Sequence, residues 1–339
     1  MMMTASTPIF LVLGQLKREY IITPAGKTRI DQPGGNALYA ACGLALWGES
    51  PGLVSRVGED YPQAWIENFQ EYGLNTGGIR ILPEEHDLRT FLAYTDVNTH
   101  FNDDPVSYFA RLEMSFPKSL LGYKYPENGL DQRTGIAALS SRQSDLPKDY
   151  GYARAAHLCP QEYISHRLMP GAFKEAGLTT ITLDPGPGYM APEFWNDIPS
   201  VLADLNAFIP SEAEIRGLFK GRSDDLWEMA EALAAYGCPV IVIKRGSQGQ
   251  MLFDADAKTR YHIPAYPARV ADPTNSGDAF CGGFLAGYRR TFDPLQAALH
   301  GNVSASLAVE GSGPFYMLET LPGLAQARLE TLPEMVRKA

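Results

Sequence analysis

The sequence predicts an α/β fold in which helices cover both faces of a mostly parallel central sheet, a three-layer α/β/α arrangement. Short apolar β-type runs alternate along the chain with segments of helical periodicity. Such alternation implies crossover connections and a parallel sheet buried on both faces. No internal repeat, low-complexity tract or linker rich in Gly, Ser or Pro interrupts it, so residues 1–339 are predicted to form a single domain.

The predicted elements follow this alternation in order. Strands are predicted at residues 8–13, 52–57, 155–158, 179–183, 207–209 and 240–243. Helices are predicted at residues 36–47, 61–72 and 223–236. Within the second helix, Trp65, Ile66 and Phe69 have the spacing of a surface that faces a core.

Composition and charge exclude several classes of protein. Of the 339 residues, 45% are apolar and 20% are charged, as in ordinary globular proteins. The net charge of −10 disfavours a nucleic-acid partner, because such binding depends on clustered Lys and Arg. Neither an 18-residue apolar run nor a signal peptide is recognisable, so no membrane partner and a cytoplasmic location are expected. The four cysteines form no CxxC pair and the six histidines no HExxH motif, which favours reduced thiols and no zinc site.

The stretch from Asp272 to Phe280, Asp-Pro-Thr-Asn-Ser-Gly-Asp-Ala-Phe, is the most informative in the chain. Its small and turn-tolerant residues predict a loop whose N–H groups converge on an anion at the start of a helix. Asp278 would then lie in the first helical turn and face a hydroxyl that attacks phosphorus. The alternative is an Asx turn that caps an ordinary helix.

This stretch resembles the C-terminal signature of the ribokinase/PfkB carbohydrate kinase family, in which Gly-Ala-Gly-Asp precedes a helix of small residues. The resemblance implies a ribokinase-like fold and an ATP-dependent kinase in which Asp278 is the base for the acceptor hydroxyl. It also implies that Asn275, Ser276 and Gly277 form the anion hole. Asn275-Ser276 replace the Gly-Ala of the family. Since Asn accepts a left-handed backbone better than other non-Gly residues, the loop geometry is expected to survive.

Residues 34–41 and 55–60 are similar to the N-terminal signature of the same family. Gly34 and Gly35 are predicted to form a hinge where backbone approaches a ligand closely, with a plain tight turn as the alternative. Asn36 is assigned to the acceptor site with them. Tyr39 stands where many family members have an Asn that contacts sugar hydroxyls, which implies a different acceptor or a ring-stacking contact.

Three more residues are assigned to the acceptor site by the resemblance. Glu19 takes the place of an Asp that bonds two acceptor hydroxyls, and its carboxylate can accept the same bonds. Lys17 is a candidate contact for a carboxylate or phosphate on the substrate, with a solvated lysine as the alternative. Gln161, which follows the strand at 155–158, is assigned to the pocket wall.

The nucleotide side is assigned in the same way. Glu214 matches the Glu of a family Asn-x-x-Glu turn and is implied to organise water bound to Mg²⁺, while Ser211 replaces the Asn; the two also form a potential capping box. Lys244, Gly246 and Gly249 resemble the family's turn beside the phosphates, and Asn302, Gly311 and Gly313 resemble its adenine wall. Asp272 and the Thr274 carbonyl resemble its potassium site. The alternative for Asp272 is a residue that only forms the turn.

Residues 15–32 and 89–112 interrupt the alternation with β-type patterns, and in the resembled family such segments form a small β lid over the acceptor site. Residues 101–152 are longer than family members need. Because a structureless loop of that length is unusual in a compact domain, an elaborated lid or an oligomer contact is expected, with a homodimer through the lid as one candidate.

These patterns predict transfer of the ATP γ-phosphoryl group to an alcohol of a sugar, nucleoside or cyclic polyol, with Mg²⁺ and with K⁺ as a further candidate. One alternative is a weak or inactive ribokinase-like protein that senses nucleotide or sugar, motivated by the departures at Asn275-Ser276 and Ser211. A Rossmann-type dehydrogenase is disfavoured, because no Gly-x-Gly-x-x-Gly follows the first strand.

Overall fold

The structure, a computed structural model, describes residues 8–125 and 129–339; residues 126–128, within the predicted extension 101–152, and residues 1–7 lie outside the described residues. The strands are β1 (Phe10–Leu13), β2 (Lys17–Ile22), β3 (Thr28–Gly34), β4 (Gly52–Val57), β5 (Asn75–Ile81), β6 (Arg89–Tyr94), β7 (His100–Phe101), β8 (Ala155–Leu158), β9 (Thr180–Leu183), β10 (Ala207–Phe208), β11 (Val240–Lys244), β12 (Gln250–Asp254), β13 (Thr259–Ile263) and β14 (Arg337–Lys338). The helices are α1 (Asn36–Ala45), α2 (Gln63–Glu71), α3 (Pro105–Arg111), α4 (Tyr163–Glu175), α5 (Pro199–Leu202), α6 (Glu212–Leu218), α7 (Leu226–Ala234), α8 (Ser276–Thr291), α9 (Pro294–Ala308) and α10 (Leu324–Thr331). In the described parts of the chain, no helix combines the length and apolarity needed to cross a membrane.

The main sheet confirms the predicted α/β class. Its ten strands follow the order β14-β13-β12-β11-β10-β9-β8-β1-β4-β5. The strands from β11 to β5 are parallel, and β12, β13 and β14 add an antiparallel edge. Every strand and helix expected from the alternation is present, with ends that differ by at most three residues.

Strand β1 lies inside the sheet, and its two faces show why the sheet is covered on both sides. Phe10 and Val12 belong to a core with α1, α8 and α9, whereas Leu11 and Leu13 belong to a core with α4, α6 and α7. Because successive strand residues point to opposite faces, a continuous apolar run is what a doubly covered strand requires.

Helices α1 and α8 pack backbone against backbone on one face of the sheet. A Cβ on Gly43 would fall on the carbonyl oxygen of Ala279, and a Cβ on Gly282 would fall on that of Ala40. This close approach joins a helix near the beginning of the chain to one near its end.

A second sheet, with strand order β3-β2-β6-β7, is formed largely by the two segments predicted as the lid and is called the lid below. Its apolar side contains Tyr20, Phe91 and Phe109. The predicted segment 89–112 is β-type only in its first part, because residues 105–111 form α3. Asp104 caps this helix by accepting a hydrogen bond from the Ser107 amide at 3.4 Å, and Pro105 occupies its first turn, a start signal that outweighs the β-type pattern.

The described part of the extension after α3 is attached to the main sheet. The Arg56 guanidinium forms two hydrogen bonds of 2.7 and 2.8 Å to the carboxylate of Asp145. The Ser141 hydroxyl donates at 2.9 Å to the carbonyl of Val54, within β4. Tyr150 is buried and donates to the Asn75 side chain at 2.8 Å. The segment is therefore an ordered cover over strand ends, and the homodimer through the lid stays a prediction.

Candidate active site

The carboxyl ends of three neighbouring parallel strands bring polar side chains together beside the start of α8. Asp184 follows β9, Ser211 follows β10 and Lys244 ends β11. Ligands of open α/β sheets bind at this edge. The Lys244 ammonium lies 3.7 Å from the thiol of Cys281 on α8, so strand ends and helix start form one site.

Asn275 immediately precedes α8 in the left-handed region, with φ 53° and ψ 22°. This is the backbone state for which Gly or Asn is best suited. Among the described residues, the amides of Asn275 and Gly277 form no hydrogen bond, whereas the Ser276 amide donates to the Pro273 carbonyl at 3.3 Å. Two of the three predicted anion-hole amides are therefore free at a helix N-terminus, and the third is used within the turn.

Asp278 lies in the first turn of α8, and its side chain is partly exposed at the site. Its enclosed position raises the pKa of Asp278 to about 8; Asp184 adds to this shift and Lys244 opposes it. A carboxylate with a raised pKa is a stronger base than an ordinary one.

Lys244 and Asp184 form a buried ion pair, in which the Lys244 ammonium donates to Asp184 Oδ2. Burial acts to lower the pKa of Lys244, but the attraction of Asp184 and other acidic groups outweighs it and the net pKa is raised. The thiol of Cys281 also donates to Asp184 Oδ2, at 3.5 Å. Asp184 Oδ1 is buried without a hydrogen-bond partner in the described chain.

Ser211 and Glu214 form the capping box that the spacing suggested. The Ser211 amide donates to Glu214 Oε2 at 2.7 Å, and the Glu214 amide donates to the Ser211 hydroxyl at 3.3 Å. This arrangement holds the Glu214 carboxylate at the start of α6. Burial raises the pKa of Asp184, and the charge of Glu214 adds to this shift while Lys244 opposes it. Direct ligation by three or more His, Cys, Asp or Glu side chains is not found within the described ranges.

The residues assigned to the phosphate turn and to the adenine wall lie at or after the end of β11 and on or after α9. Gly246 and Gly249 both have positive φ, 54° and 82°, in the turn between β11 and β12. Asn302 is buried; its amide oxygen accepts from the Tyr266 amide at 2.9 Å and its nitrogen donates to the Pro264 carbonyl at 2.7 Å. The Asn302 side chain therefore fixes residues 264–266, and its place in the adenine wall stays a prediction.

The turn after α9 meets the lid and the anion loop. The ring of Tyr316 packs directly on Gly311, and Arg29 Nη1 of the lid lies 2.8 Å from the position of a Cβ on Gly313. Gly313 faces Arg29, and its place in the adenine wall stays a prediction. Ser312 lies between Gly311 and Gly313 in sequence, and its hydroxyl donates to Asp272 Oδ2.

Asp272 shapes the anion loop. Its Oδ1 accepts from the Thr274 amide at 3.0 Å, and the side chain is buried. Both carboxylate oxygens of Asp272 therefore already hold protein groups, as the turn-forming alternative requires. Potassium at Asp272 and the Thr274 carbonyl stays a prediction.

Glu19 is a buried junction between lid and core. Its Oε1 accepts from the Gly35 amide at 2.8 Å and from Asn275 Nδ2 at 2.7 Å, while Oε2 pairs with Arg29. A carboxylate offers about four lone-pair positions, so little capacity remains. The predicted grip on two acceptor hydroxyls stays a prediction, and it requires Arg29 to move away from Oε2.

Tyr39 is a core residue. Its ring is 1% exposed, and its hydroxyl accepts from Arg29 Nη1 at 3.0 Å. No ring face is open to a ligand, so the predicted stacking contact is corrected: Tyr39 orients the guanidinium of Arg29, whose Nε has no partner among the described residues.

Of the other residues assigned to the acceptor site, Asn36 is fully hydrogen-bonded within the protein, whereas Gln161 and Lys17 keep donors without a partner among the described residues. Both polar atoms of the Asn36 side chain are hydrogen-bonded within the protein. Its Oδ1 accepts from the Gln15 amide at 2.7 Å, and its Nδ2 donates to the Pro160 carbonyl at 3.0 Å. Gln161 Oε1 accepts from the Ser141 amide at 2.8 Å, but its Nε2 is buried without a partner in the described structure. Lys17 is half-buried on β2; burial lowers its pKa, opposed by Asp87 and Glu19.

The close packing at Gly34 and Gly35 requires glycine, while their role as a hinge stays a prediction. The Glu19 carboxyl packs directly on Gly34, and a Cβ on Gly35 would fall on the carbonyl oxygen of Gln15. Gly35 has φ 95° and ψ 160°, a region that is essentially restricted to glycine. This backbone carries the chain from the lid into α1.

We expect Gly35→Ala to destabilise the protein more than Gly48→Ala. Both glycines have positive φ, 95° and 82°, which costs a non-Gly residue about 1–2 kcal/mol. Only Gly35 adds a clash with Gln15, since nothing lies within 4 Å of a Cβ on Gly48. Urea denaturation measures the two free energies of unfolding. Equal losses would show that the contact at Gly35 adds no strain.

Sequence reasoning missed Asp184 and Arg29. The available signal for Asp184 was its place directly after a predicted buried strand, at the same sheet edge as Ser211 and Lys244. Arg29 lies on β3 between Lys27 and Asp31, a charged pattern that reads as a solvated strand. Only the fold of the lid over the core buries it.

Comparison with known proteins extends this picture. A profile of the pfkB family carbohydrate kinases matches residues 174–321, which include Asp184, Glu214, Lys244 and Asp278. A cytidine kinase of Thermococcus kodakarensis is 27% identical over 282 residues, which are 83% of this chain and 88% of that protein. A 5-dehydro-2-deoxygluconokinase of Clostridium perfringens is 22% identical over 366 aligned residues, covering 95% and 98% of the two chains.

Solved structures share the fold. The nucleoside kinase of Burkholderia thailandensis in complex with inosine superposes with a TM-score of 0.67 at 19% identity, over 95% of this chain and 98% of that one. The fructokinase of Vibrio cholerae O395, bound to fructose, ADP and calcium, superposes with a TM-score of 0.65 at 16% identity, over 96% and 99%.

The fold and these similarities define a kinase with a ribokinase-like fold, which confirms the class predicted from the anion loop. The chain is similar to the pfkB family of carbohydrate kinases, whose model matches residues 174–321. It is a sugar or nucleoside kinase.

Proposed function

We propose that this protein transfers the γ-phosphoryl group of ATP to an alcohol hydroxyl of a sugar, a nucleoside or a cyclic polyol. One observation carries the proposal: Asp278, a carboxylate of raised pKa, lies at the start of α8 beside the free amides of Asn275 and Gly277. A hydroxyl held against Asp278 loses its proton to this carboxylate as it attacks phosphorus. The two amides and the helix N-terminus face the oxygens of the transferred group and stabilise their charge.

Lys244 and Asp184 supply the charges on the nucleotide side. The Lys244 ammonium is fixed by Asp184 and lies at the same sheet edge as Ser211. Asp184 Oδ1, which has no hydrogen-bond partner among the described residues, and the Glu214 carboxylate are oxygen groups suited to hold Mg²⁺ through water. When bound, Mg²⁺ neutralises charge on the donor phosphates. An E. coli chain assigned as ribokinase II has been solved in complex with ATP and Mg²⁺, which supports the same pair here.

The acceptor binds on the lid side, between Glu19, Gln161 and Lys17. Gln161 Nε2 and the Lys17 ammonium are donors without a hydrogen bond or ion pair among the described residues. An acceptor with several oxygen or ring-nitrogen atoms matches these donors. Relatives named cytidine kinase and 5-dehydro-2-deoxygluconokinase support both the nucleoside and the sugar class.

An acceptor screen tests this function. We expect ADP release with Mg²⁺ to depend on at least one member of a panel of pentoses, hexoses, sugar phosphates, nucleosides and inositols. The product should carry phosphate on a hydroxyl, as detected by mass spectrometry. ATP binding without transfer to any panel member would favour the sensor alternative instead.

Potassium belongs to the same proposal. If K⁺ at Asp272 and the Thr274 carbonyl stiffens the anion loop, turnover should rise when K⁺ replaces a bulky cation such as tetramethylammonium at equal ionic strength. Equal turnover in the two salts would assign Asp272 to the turn alone.

A further inference from the structure

Two adjacent residues of the anion loop contact two adjacent strands of the lid. Asn275 Nδ2 donates to Glu19 Oε1 on β2 at 2.7 Å, across 256 residues of chain. The Thr274 hydroxyl donates to the Tyr94 hydroxyl on β6 at 3.2 Å. Strands β2 and β6 are paired in parallel, so both contacts join the same part of the lid to the same loop.

The Asn275 contact is the stronger of the two. Its acceptor is a carboxylate that is 2% exposed, and hydrogen bonds to buried charged groups contribute more than neutral ones. The backbone alone does not call for an Asn side chain. With φ at 53°, a glycine would satisfy the same geometry without strain. What Asn275 adds over glycine is therefore the amide that reaches Glu19.

We propose that Asn275 is a positioning residue that couples the acceptor-side carboxylate Glu19 to the anion loop. This rests on the proposed function, because the loop is taken to bind the phosphoryl group. When the lid lies over the site, the Asn275–Glu19 bond holds the loop with its amides directed to the anion. Binding of an anion at the loop in turn holds β2 in place, since coupling between two sites is reciprocal. Phosphoryl transfer is thereby restricted to the state in which Glu19 is at the acceptor site.

The test uses the full-length protein and the non-hydrolysable ATP analogue AMP-PCP with Mg²⁺. Hydrogen–deuterium exchange is followed in α8, which reports nucleotide binding, and in β2 and β6, which report the lid. In the wild type we expect AMP-PCP to slow exchange in all three. In Asn275→Gly, protection of α8 should remain while the added protection of β2 falls about tenfold, the effect of losing one hydrogen bond to a charged group.

A second readout is hydrolysis of ATP in the absence of acceptor. Water competes as nucleophile when the lid and loop are uncoupled. Relative to transfer to the best acceptor of the screen, this hydrolysis should rise several-fold in Asn275→Gly. Asn275→Asp, which sets a carboxylate against Glu19, should show the same change more strongly.

Lys258→Gly is the matched control, because Lys258 is another non-Gly residue of positive φ, 52°. It lies on the exposed turn between β12 and β13, which belong to the main sheet and not to the lid. It should behave as the wild type in both readouts. Unchanged β2 protection together with unchanged hydrolysis in Asn275→Gly would overturn the coupling. Failure of AMP-PCP to protect even α8 in the wild type would overturn the proposed function, and the coupling with it.

Discussion

Asp278→Asn is expected to lower turnover by about two to four orders of magnitude, the contribution of a general base, while the fold stays intact. The amide keeps the size and hydrogen bonding of the carboxylate but cannot accept a proton at neutral pH. Steady-state kinetics with the acceptor identified by the screen measures the loss. Asp204→Asn, which changes an exposed carboxylate paired with Lys174, is the control and should keep wild-type turnover. Near-wild-type turnover in Asp278→Asn would remove Asp278 from the role of base.

The pH dependence follows from the same group. A base must be deprotonated to act, and the pKa of Asp278 is raised to about 8 by its enclosed position. In the free enzyme, kcat/KM should therefore fall as pH is lowered through about 8, and this limb should be missing from the residual activity of Asp278→Asn.

Stability should change in the opposite direction to activity. An Asp whose folded pKa lies above its unfolded value, about 3.9, stabilises the fold fully below pH 4 and loses that contribution as pH rises through about 8. Asn carries no such penalty. Asp278→Asn should therefore melt at a higher temperature than the wild type at pH 9, with the difference narrowing toward pH 4.

Lys244→Met is expected to destabilise the protein by about 3–5 kcal/mol, as when one partner of a buried ion pair is removed. It leaves Asp184 buried without its cation and near Asp278 and Glu214. Affinity for Mg²⁺·AMP-PCP should fall as well, because the positive charge at the nucleotide side is lost. Denaturation with urea and calorimetric titration measure the two effects.

The control is Lys174→Met, which breaks an exposed ion pair with Asp204 at 3.2 Å and should cost about 0–1 kcal/mol. Without Lys244, the folded protein favours the protonated form of Asp184. The loss of free energy of unfolding in Lys244→Met should therefore be larger at pH 8 than at pH 5. A pH-independent loss equal to that of Lys174→Met would contradict a buried, charge-compensating role.

Much of the fold could be predicted because its signals are local. A pattern within a dozen residues predicts the apolar strand β11 and the turn after it. A pattern of similar length predicts the start of a helix at 276–278. The backbone demand at Asn275 was also visible, since the residue type itself is suited to the left-handed state that the structure shows.

The errors in the site have a common physical origin. Tyr39 was assigned by position in a motif, but burial and its hydrogen-bond partner Arg29 decide what it contacts. The charged pattern of its own strand predicts that Arg29 is solvated, but Arg29 is enclosed by Glu19 on β2, Tyr39 on α1 and Gly313 in the turn after α9. Partners far apart in sequence leave no local pattern, so these roles could be found only in three dimensions.

The backbone contact between α1 and α8 has a consequence for how this chain is made. Until residues 276–291 leave the ribosome, Gly43 of α1 has no Ala279 to pack against, and the core that contains Phe10 and Val12 lacks the apolar residues of α8. At about 5–20 residues per second, synthesis from the end of α1 to the end of α8 takes roughly 12–50 s. During that interval the nascent N-terminal half displays an apolar helix and sheet face, the kind of surface to which chaperones bind.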